Sequence, residues 1–167
     1  MPRTTESNYV LKVWRTLKNK PFGGKLMAMF IAARAPYFKT VSATVLDITP
    51  HQAQVLLPKR RKIENHIGTV HVIAICNGLE FAMGVMAEAS IPSHLRWIPK
   101  GMSLQYLAKA GSNIRCVAQV AGEDWRLGDL EVQVTAYDDN NVVVVAGVIK
   151  LWISENRHHT QKAAQAA

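Results

Sequence analysis

Residues 65–80 of the chain read NHIGTVHVIAICNGLE, and this stretch decides how the rest of the sequence is interpreted. It places Asn65, His66, His71 and Glu80 in the most apolar part of the chain. A polar group taken out of water costs free energy unless it finds a partner. The stretch is therefore either a core helix that tolerates a few polar residues or a reaction site.

The apolar segment that contains most of this stretch runs from about residue 69 to residue 87, with apolar side chains on nearly every face. A helix that is hydrophobic all round is buried all round, so the segment predicts a buried central helix. Residues 7–18 and about 25–33 predict two earlier helices, the first amphipathic and the second ended by Pro36. The chain thus begins with helices and has its most buried helix near the middle.

Alternation with a period of two residues predicts strands on both sides of the central helix. Before it, residues 41–57 alternate through a turn at Thr49-Pro50-His51, which predicts a hairpin. After it, we predict four strands, the last three as an antiparallel meander, at about residues 102–108, 114–120, 130–137 and 142–153. One long helix and about six antiparallel strands indicate an α+β fold in which the sheet curls around the helix.

Composition favours one globular domain. The chain has 167 residues, of which 49% are hydrophobic and 19% charged, and its net charge is +8. No stretch reaches the ~18 uninterrupted apolar residues of a membrane span, and the first residues lack an apolar signal segment. We therefore expect a cytoplasmic protein with no membrane partner. Cys76 and Cys116 lie in apolar stretches and are interpreted as small buried hydrophobes.

The positive charge requires an anionic partner or an anionic surface. The run Lys59, Arg60, Arg61 and Lys62 stands immediately before the decisive stretch, where it would be placed to hold phosphates. A solvated turn between strand and helix is the other interpretation of this run, and both stay open. Nucleic-acid binding would also account for the charge, but the basic residues are not interleaved with aromatic ones. We therefore expect no nucleic-acid partner.

The order of elements, together with the pattern N-x-x-G-T-x-H and an acid nine residues after its histidine, resembles a known fold. It is similar to the hotdog fold, and within it to a divergent branch of the PaaI-type and 4-hydroxybenzoyl-CoA thioesterase superfamily. Asn65 matches the family's asparagine, Gly68 and Thr69 its Gly-Thr pair, His71 its histidine, and Glu80 its acid.

The resemblance covers roughly residues 38–155, which would form the hotdog domain. Residues 1–37 would then be an N-terminal helical extension. Residues 156–167, rich in Ala and Gln with some basic side chains, would be a disordered tail.

The chain departs from the family pattern just after the histidine and again on the strand after the helix. Relatives have two glycines after the histidine, and this chain has Val72 and Ile73. In relatives the first of these glycines donates its N–H to the thioester carbonyl; Val72 keeps that donor and adds a side chain where the acyl group approaches. For the family's Ser or Thr on the strand after the helix, Ser103 is the nearest candidate.

The residues themselves are consistent with thioester hydrolysis, which needs an attacking water or carboxylate and a donor for the oxyanion. The start of a buried helix supplies unpaired N–H groups, so Gly68 to Val72 make a plausible oxyanion site. Glu80 is a carboxylate on an apolar helix, where partial desolvation makes it a better base. Nine residues at ~100° each place His71 and Glu80 on opposite sides of one helix.

Side chains placed in this way cannot easily meet around one substrate within a single subunit. The resemblance removes this difficulty, because two hotdog subunits pair their sheets edge to edge and share each site. It implies that Asn65 orients water or substrate, that the Val72 amide polarises the carbonyl, and that Glu80 of the partner chain is the base or nucleophile. His71 would orient the turn. A homodimer or a dimer of dimers is therefore expected.

The same resemblance implies an acyl-CoA or a related thioester as substrate. Gly68 and Thr69 would contact it, the basic run at residues 59–62 would meet the phosphates of coenzyme A, and Tyr106 would line the acyl pocket. Trp97 and Trp152 are interpreted as core or interface anchors. No cofactor is required. A metal is not expected either, since His66 and His71 form only an H-x4-H pair and a zinc site wants at least three protein ligands.

Two other functions are compatible with this fold. One is an acyl-CoA-binding protein that has lost turnover, which the side chains of Val72 and Ile73 favour. The other is a hydratase or dehydratase acting on acyl-CoA or acyl-carrier-protein substrates, although no H-F-P-like segment is present.

Overall fold

The predicted order of helices and strands is present in the computed structural model, which describes residues 8–121 and 125–156. Within these ranges the α-helices are α1 (Tyr9–Leu17), α2 (Gly23–Arg34) and α3 (Val72–Ser90). The strands are β1 (Thr44–Thr49), β2 (Gln52–Leu57), β3 (Leu95–Tyr106), β4 (Ile114–Gln119), β5 (Gly128–Tyr137) and β6 (Val143–Glu155). Two 3₁₀ helices, Pro36–Val41 and Arg61–Ile63, lie in the connections.

The described strands form one six-stranded antiparallel sheet in the order β1-β2-β4-β5-β6-β3. The predicted meander of β4, β5 and β6 is confirmed. Along β2, burial alternates as the period of two predicts, with Ala53, Val55 and Leu57 facing the core. β3 returns after α3 to pair with β6, so the longest connection of the sheet brings this strand to an outer edge.

The sheet curls around α3, which contributes more buried core residues than any other described element. Leu79, Phe81 and Met83 are fully buried, and Gly78 lies where the helix packs closely against Leu57 of β2 and Cys116 of β4. By length and composition α3 would be able to cross a membrane, but 61% of its most apolar window is buried inside the protein, as expected of a core helix. The prediction of an α+β sheet wrapped around one central helix is confirmed.

The structure differs from the sequence prediction at several boundaries. β1 begins at Thr44 because Val41 belongs to a 3₁₀ helix rather than to the strand. β3 begins at Leu95, well before the predicted start near residue 102. The expectation that α3 is buried on all sides is wrong: Ile73 is 57% exposed, and a stripe that continues through Glu80 to Glu88 is only partly covered.

The N-terminal helices pack on the same core as the sheet. Asn8 caps α1 by accepting hydrogen bonds from two backbone N–H groups, and Leu11 and Trp14 of this helix are buried. Met27 of α2 is fully buried. The division into an extension at 1–37, a domain at 38–155 and a tail stays a prediction; the tail beyond Asn156 lies outside the described residues.

Candidate functional site

The loop that leads into α3 is organised by the side chain of Asn65. Its Oδ1 accepts hydrogen bonds from the backbone N–H groups of Ile67 and Thr69, each at 3.1 Å. Its Nδ2 donates to the hydroxyl of Thr69 at 2.8 Å. Gly68 sits between them with φ at +75°, a conformation that favours glycine. Asn65, Gly68 and Thr69 thus shape one tight turn, and the amide of Asn65 retains one further hydrogen to donate.

His71 ends the turn as the N-cap of α3. Its Nδ1 accepts a hydrogen bond from the backbone N–H of Ile73 at 3.1 Å, so the ring proton of the neutral imidazole belongs on Nε2. Its own backbone N–H donates to the carbonyl of Ile63 at 2.7 Å. His71 therefore fixes the direction in which α3 leaves the loop.

Val72 is the first residue of α3, and its N–H makes no hydrogen bond within the described part of the chain. The first N–H groups of a helix lack intrahelical partners and lie at the positive end of the helix dipole. Ile73 and Ala74 use theirs on His71. Val72 therefore holds the available donor at this helix end.

Asn65, Thr69, His71 and Val72 line a cavity of about 260 Å³, which we call the Asn65 cavity; Gly68 lies outside its lining. Asn65, Thr69 and the first residues of α3 form one wall, and Tyr106 and Lys109, at and after the end of β3, form the other. His66 also contributes. Sequence reasoning did not single out Lys109; the only signal was a lysine placed just after the apolar end of a predicted strand.

Glu80 lies in a separate cavity of about 520 Å³, which we call the Glu80 cavity. Its walls include Phe30 of α2 and Trp97 of β3, and its carboxylate forms no hydrogen bond or ion pair with the described residues. Trp97, interpreted from sequence as an anchor, donates its indole N–H to Glu88 at 2.9 Å. The two cavities share no lining residue, so one chain alone keeps Glu80 apart from Asn65.

The basic run lies outside the linings of both cavities. Lys59 and Arg61 approach the carboxylate of Glu64 at 3.7 and 3.8 Å, which offsets part of their charge. Arg60 lines a different cavity, together with Lys25 and Lys39. Lys62 is exposed in the 3₁₀ helix.

Of the two candidates on β3, Tyr106 reaches the Asn65 cavity. Ser103 is exposed and contributes to neither cavity.

Cys76 and Cys116 are both free thiols. Burial raises the pKa of the Cys76 thiol, and hydrogen bonding, including that to the side chain of Tyr106, offsets part of the rise. Cys116 is fully buried, which raises its pKa further above the ordinary thiol range. In the described ranges no three His, Cys, Asp or Glu side chains gather as a metal-binding group.

Comparison with known proteins places the chain in a family. The family model described as domain of unknown function (DUF4442) matches residues 23–153. No functionally curated protein matches the chain significantly. Among solved structures, the structural-genomics target APC5556 is 38% identical, with 89% of this chain and 99% of that chain covered and a TM-score of 0.78.

Two further structures are similar in fold at lower identity. One is a probable thioesterase from Pseudomonas aeruginosa, 19% identical, covering 79% of this chain and 95% of that chain, with a TM-score of 0.71. The other is a thioesterase family protein from Silicibacter pomeroyi, 17% identical, covering 81% and 100%, with a TM-score of 0.66. These likenesses confirm the predicted hotdog fold. With the family model matching most of its length, the chain belongs to the family described as domain of unknown function DUF4442.

Proposed function

We propose that the protein hydrolyses an acyl-CoA thioester at a site that two copies of the chain complete together. The Asn65 cavity of one copy would supply the oxyanion donor, and Glu80 of the other copy would supply the base or nucleophile. The observation that carries the proposal is the position of both cavities on one unpaired strand edge. Thioesterases among the structures of the same fold support this reaction class.

β3 lies at the edge of the sheet, and its outer side pairs with no strand in the described ranges. Trp97 and Pro99, in its first half, line the Glu80 cavity. Tyr106 at its end, and Lys109 just after it, line the Asn65 cavity. Antiparallel pairing of two copies of β3 about a twofold axis would lay the first half of one strand beside the end of the other. Each Glu80 cavity would then adjoin the Asn65 cavity of the partner.

The irregular middle of β3 indicates which part of the edge would pair. Pro99 has no N–H to donate, and the register with β6 shifts between Pro99 and Gly101. Regular pairing would therefore run through Gly101 to Tyr106. Met102 and Tyr106 in this segment are 39% and 62% exposed, so pairing would also cover apolar surface.

The chemistry follows from the groups in the two cavities. The Val72 N–H would stabilise the oxyanion that forms when the thioester carbonyl is attacked. Glu80 would remove a proton from the attacking water, and that proton would end on the departing thiolate of coenzyme A. If Glu80 attacked directly, the thiolate would leave an acyl anhydride on Glu80, and its hydrolysis by water would release the acid, regenerate the carboxylate and supply the proton for the thiolate. Because Nδ1 of His71 already accepts a hydrogen bond, His71 would hold the loop in position rather than act as the base.

The phosphates of coenzyme A would be met by basic side chains. Lys109 is the cation in the Asn65 cavity itself, and the run Lys59 to Lys62 would add a more distant attraction that Glu64 partly offsets.

We also propose that the protein acts in the cytoplasm, because its one helix long enough to cross a membrane is packed inside the sheet in the described part of the chain.

A non-catalytic acyl-CoA-binding protein is the second candidate, and one observation favours it. Val72 lines the Asn65 cavity, at the position where the PaaI-type pattern has a glycine. A branched side chain beside the oxyanion donor would restrict how closely a carbonyl approaches.

The test is release of free thiol from a panel of acyl-CoA esters. Glu80→Gln should lower kcat by about 10²-fold or more, as expected for loss of a general base. Glu131→Gln is the matched control, because Glu131 lies on β5 and pairs with Lys150 on the sheet surface. No release from any ester, or an unchanged rate in Glu80→Gln, would refute the assignment. Tight binding without release would establish the second candidate instead.

The oxyanion donor has its own test in Val72→Pro. Proline is well accepted at the first position of a helix, and His71 already has the extended backbone, with ψ at 132°, that a residue before proline prefers. The variant should therefore keep α3 and lose only the N–H, with kcat lower by about 10²–10³-fold, whereas Val72→Ala keeps the donor. Mixing Val72→Pro with Glu80→Gln should restore part of the activity, since one site of each mixed dimer is intact. Absence of this complementation would contradict a shared site.

A further inference from the structure

The Glu80 cavity has walls from the N-terminal helices as well as from the hotdog core. Phe30 of α2 contributes one wall, with Tyr9 of α1 against it at 5.8 Å between ring centroids. Phe38 contributes another and stacks on the buried Phe81 at 4.7 Å. The volume of about 520 Å³ lies within the ~300–1,000 Å³ range of small-molecule sites. The cavity is therefore preformed, rich in aromatic side chains and lined in part by α1 and α2.

The charged groups in this cavity disfavour an anionic ligand. It contains two carboxylates, Glu80 and Glu88, and one guanidinium, Arg34, which lies 4.7 Å over the ring of Phe30. Glu88 is bound by the indole N–H of Trp97, whereas Glu80 has no partner in the described part of the chain. A ligand that carried a carboxylate into this space would meet like charge in a partly desolvated setting.

Gly84 keeps the cavity open beside Glu80. It lies one helical turn from Glu80 and one from Glu88, on the partly covered stripe of α3. A Cβ added there would have only the ring of Trp97 near it, at 3.6 Å. A longer side chain at this position would therefore extend into the space between α3, α2 and β3.

Resting on the proposed function, we infer that the Glu80 cavity selects thioesters with a bulky, uncharged, apolar acyl group, and that α1, α2 and Gly84 set its size. The nucleotide of coenzyme A lies elsewhere, since its phosphates would meet the two carboxylates. Short acyl groups leave the aromatic walls in contact with water, and acyl groups that end in a carboxylate are rejected by charge.

The test uses S-alkyl-CoA thioethers, which cannot be hydrolysed, titrated calorimetrically into the full-length protein. Affinity should rise by up to about fourfold for each added methylene from ethyl to octyl, the value expected for full burial of a CH₂ group. A thioether of similar length that ends in a carboxylate should gain nothing over coenzyme A. Equal binding of the octyl and carboxylate-ended probes would overturn the charge argument.

Gly84→Leu should end the rise at a shorter chain and lower the octyl preference by about tenfold or more, with Gly84→Ala intermediate. Gly111→Leu is the control, because a Cβ at Gly111 meets no atom within 4 Å and Gly111 lies outside the cavity. An octyl preference unchanged in Gly84→Leu would overturn the assignment of this cavity. If the protein bound S-octyl-CoA but released no thiol from any ester, hydrolysis would be refuted and the role of the Glu80 cavity in acyl selection would be supported. If it hydrolysed esters but showed no octyl preference, hydrolysis would be supported and the role of the Glu80 cavity would be refuted.

Discussion

Two glycines in α3, Gly78 and Gly84, provide a matched test of how closely this helix approaches the sheet. Both lie in the helix interior, where replacement of glycine by alanine stabilises a helix by about 1 kcal/mol. Because this gain is common to both positions, the difference in unfolding free energy between Gly78→Ala and Gly84→Ala isolates the packing around each new methyl group.

The surroundings of the two positions differ in the structure. A Cβ at Gly78 would lie 2.5 Å from Cδ1 of Leu57 and 2.9 Å from Sγ of Cys116, closer than real contacts allow. Both neighbours are fully buried, so neither moves without disturbing other core contacts. At Gly84 the nearest atom is 3.6 Å away, an ordinary contact. Overpacking costs about 1–3 kcal/mol, so Gly78→Ala should be less stable than Gly84→Ala by that amount.

Urea unfolding followed by far-UV circular dichroism, at one protein concentration for all variants, measures this difference. The free energy of unfolding of Gly84→Ala should exceed that of the wild type by about 1 kcal/mol, which corresponds to a Tm higher by about 2–4 °C for a chain of this size. The free energy of unfolding of Gly78→Ala should be equal to or lower than that of the wild type. If both variants gained the same stability, α3 would not approach β2 and β4 as closely as described.

The capping and thiol arrangements give two further predictions. His71→Ala should lower the free energy of unfolding by about 1 kcal/mol because the cap on the Ile73 N–H is lost, and His71→Asn should restore most of it; equal urea midpoints for both variants would contradict the capping role. In the native protein a disulfide reagent should modify Cys76 slowly, faster as pH rises toward its raised pKa, and Cys116 only after unfolding. If both Cys76 and Cys116 reacted immediately in the absence of denaturant, the burial described for these two thiols would be contradicted.

The elements with a clean period were predictable from sequence. α3 and the strands β4, β5 and β6 follow from runs of apolar residues at helical or alternating spacing, and only their ends moved. α3 begins at Val72 rather than near residue 69 because His71 caps it, and a cap histidine is not distinguishable by pattern from a helical one. The start of β3 was missed because Pro99 interrupts the segment, and an edge strand tolerates proline where a central one does not.

The Glu80 cavity could not be predicted from the sequence, for a physical reason. Its walls come from α2, α3 and β3, which are far apart along the chain, and hydrophobic periodicity reports the buried face of each element but not which faces meet. The sequence therefore indicated only a core or interface anchor at Trp97, and it did not single out Phe30. The pairing of Asn65 with Thr69 is local by contrast, and a turn of that kind follows from the residues within it.

Val72 and Ile73 stand where the PaaI-type thioesterase pattern has two glycines, and this difference is less disruptive than the pattern suggests. Both residues are helical with negative φ, so the backbone at this point does not require glycine. Val72 leaves its N–H without a partner in the described ranges, which means that the donor expected of the first glycine is retained. The N–H of Ile73 donates a hydrogen bond to Nδ1 of His71. The Ile73 residue is 57% exposed, so its side chain does not fill the core. The two side chains therefore change the space in front of the N–H donor and not the donor itself. Under the proposed function, the consequence would be a restriction on the shape of the acyl group accepted.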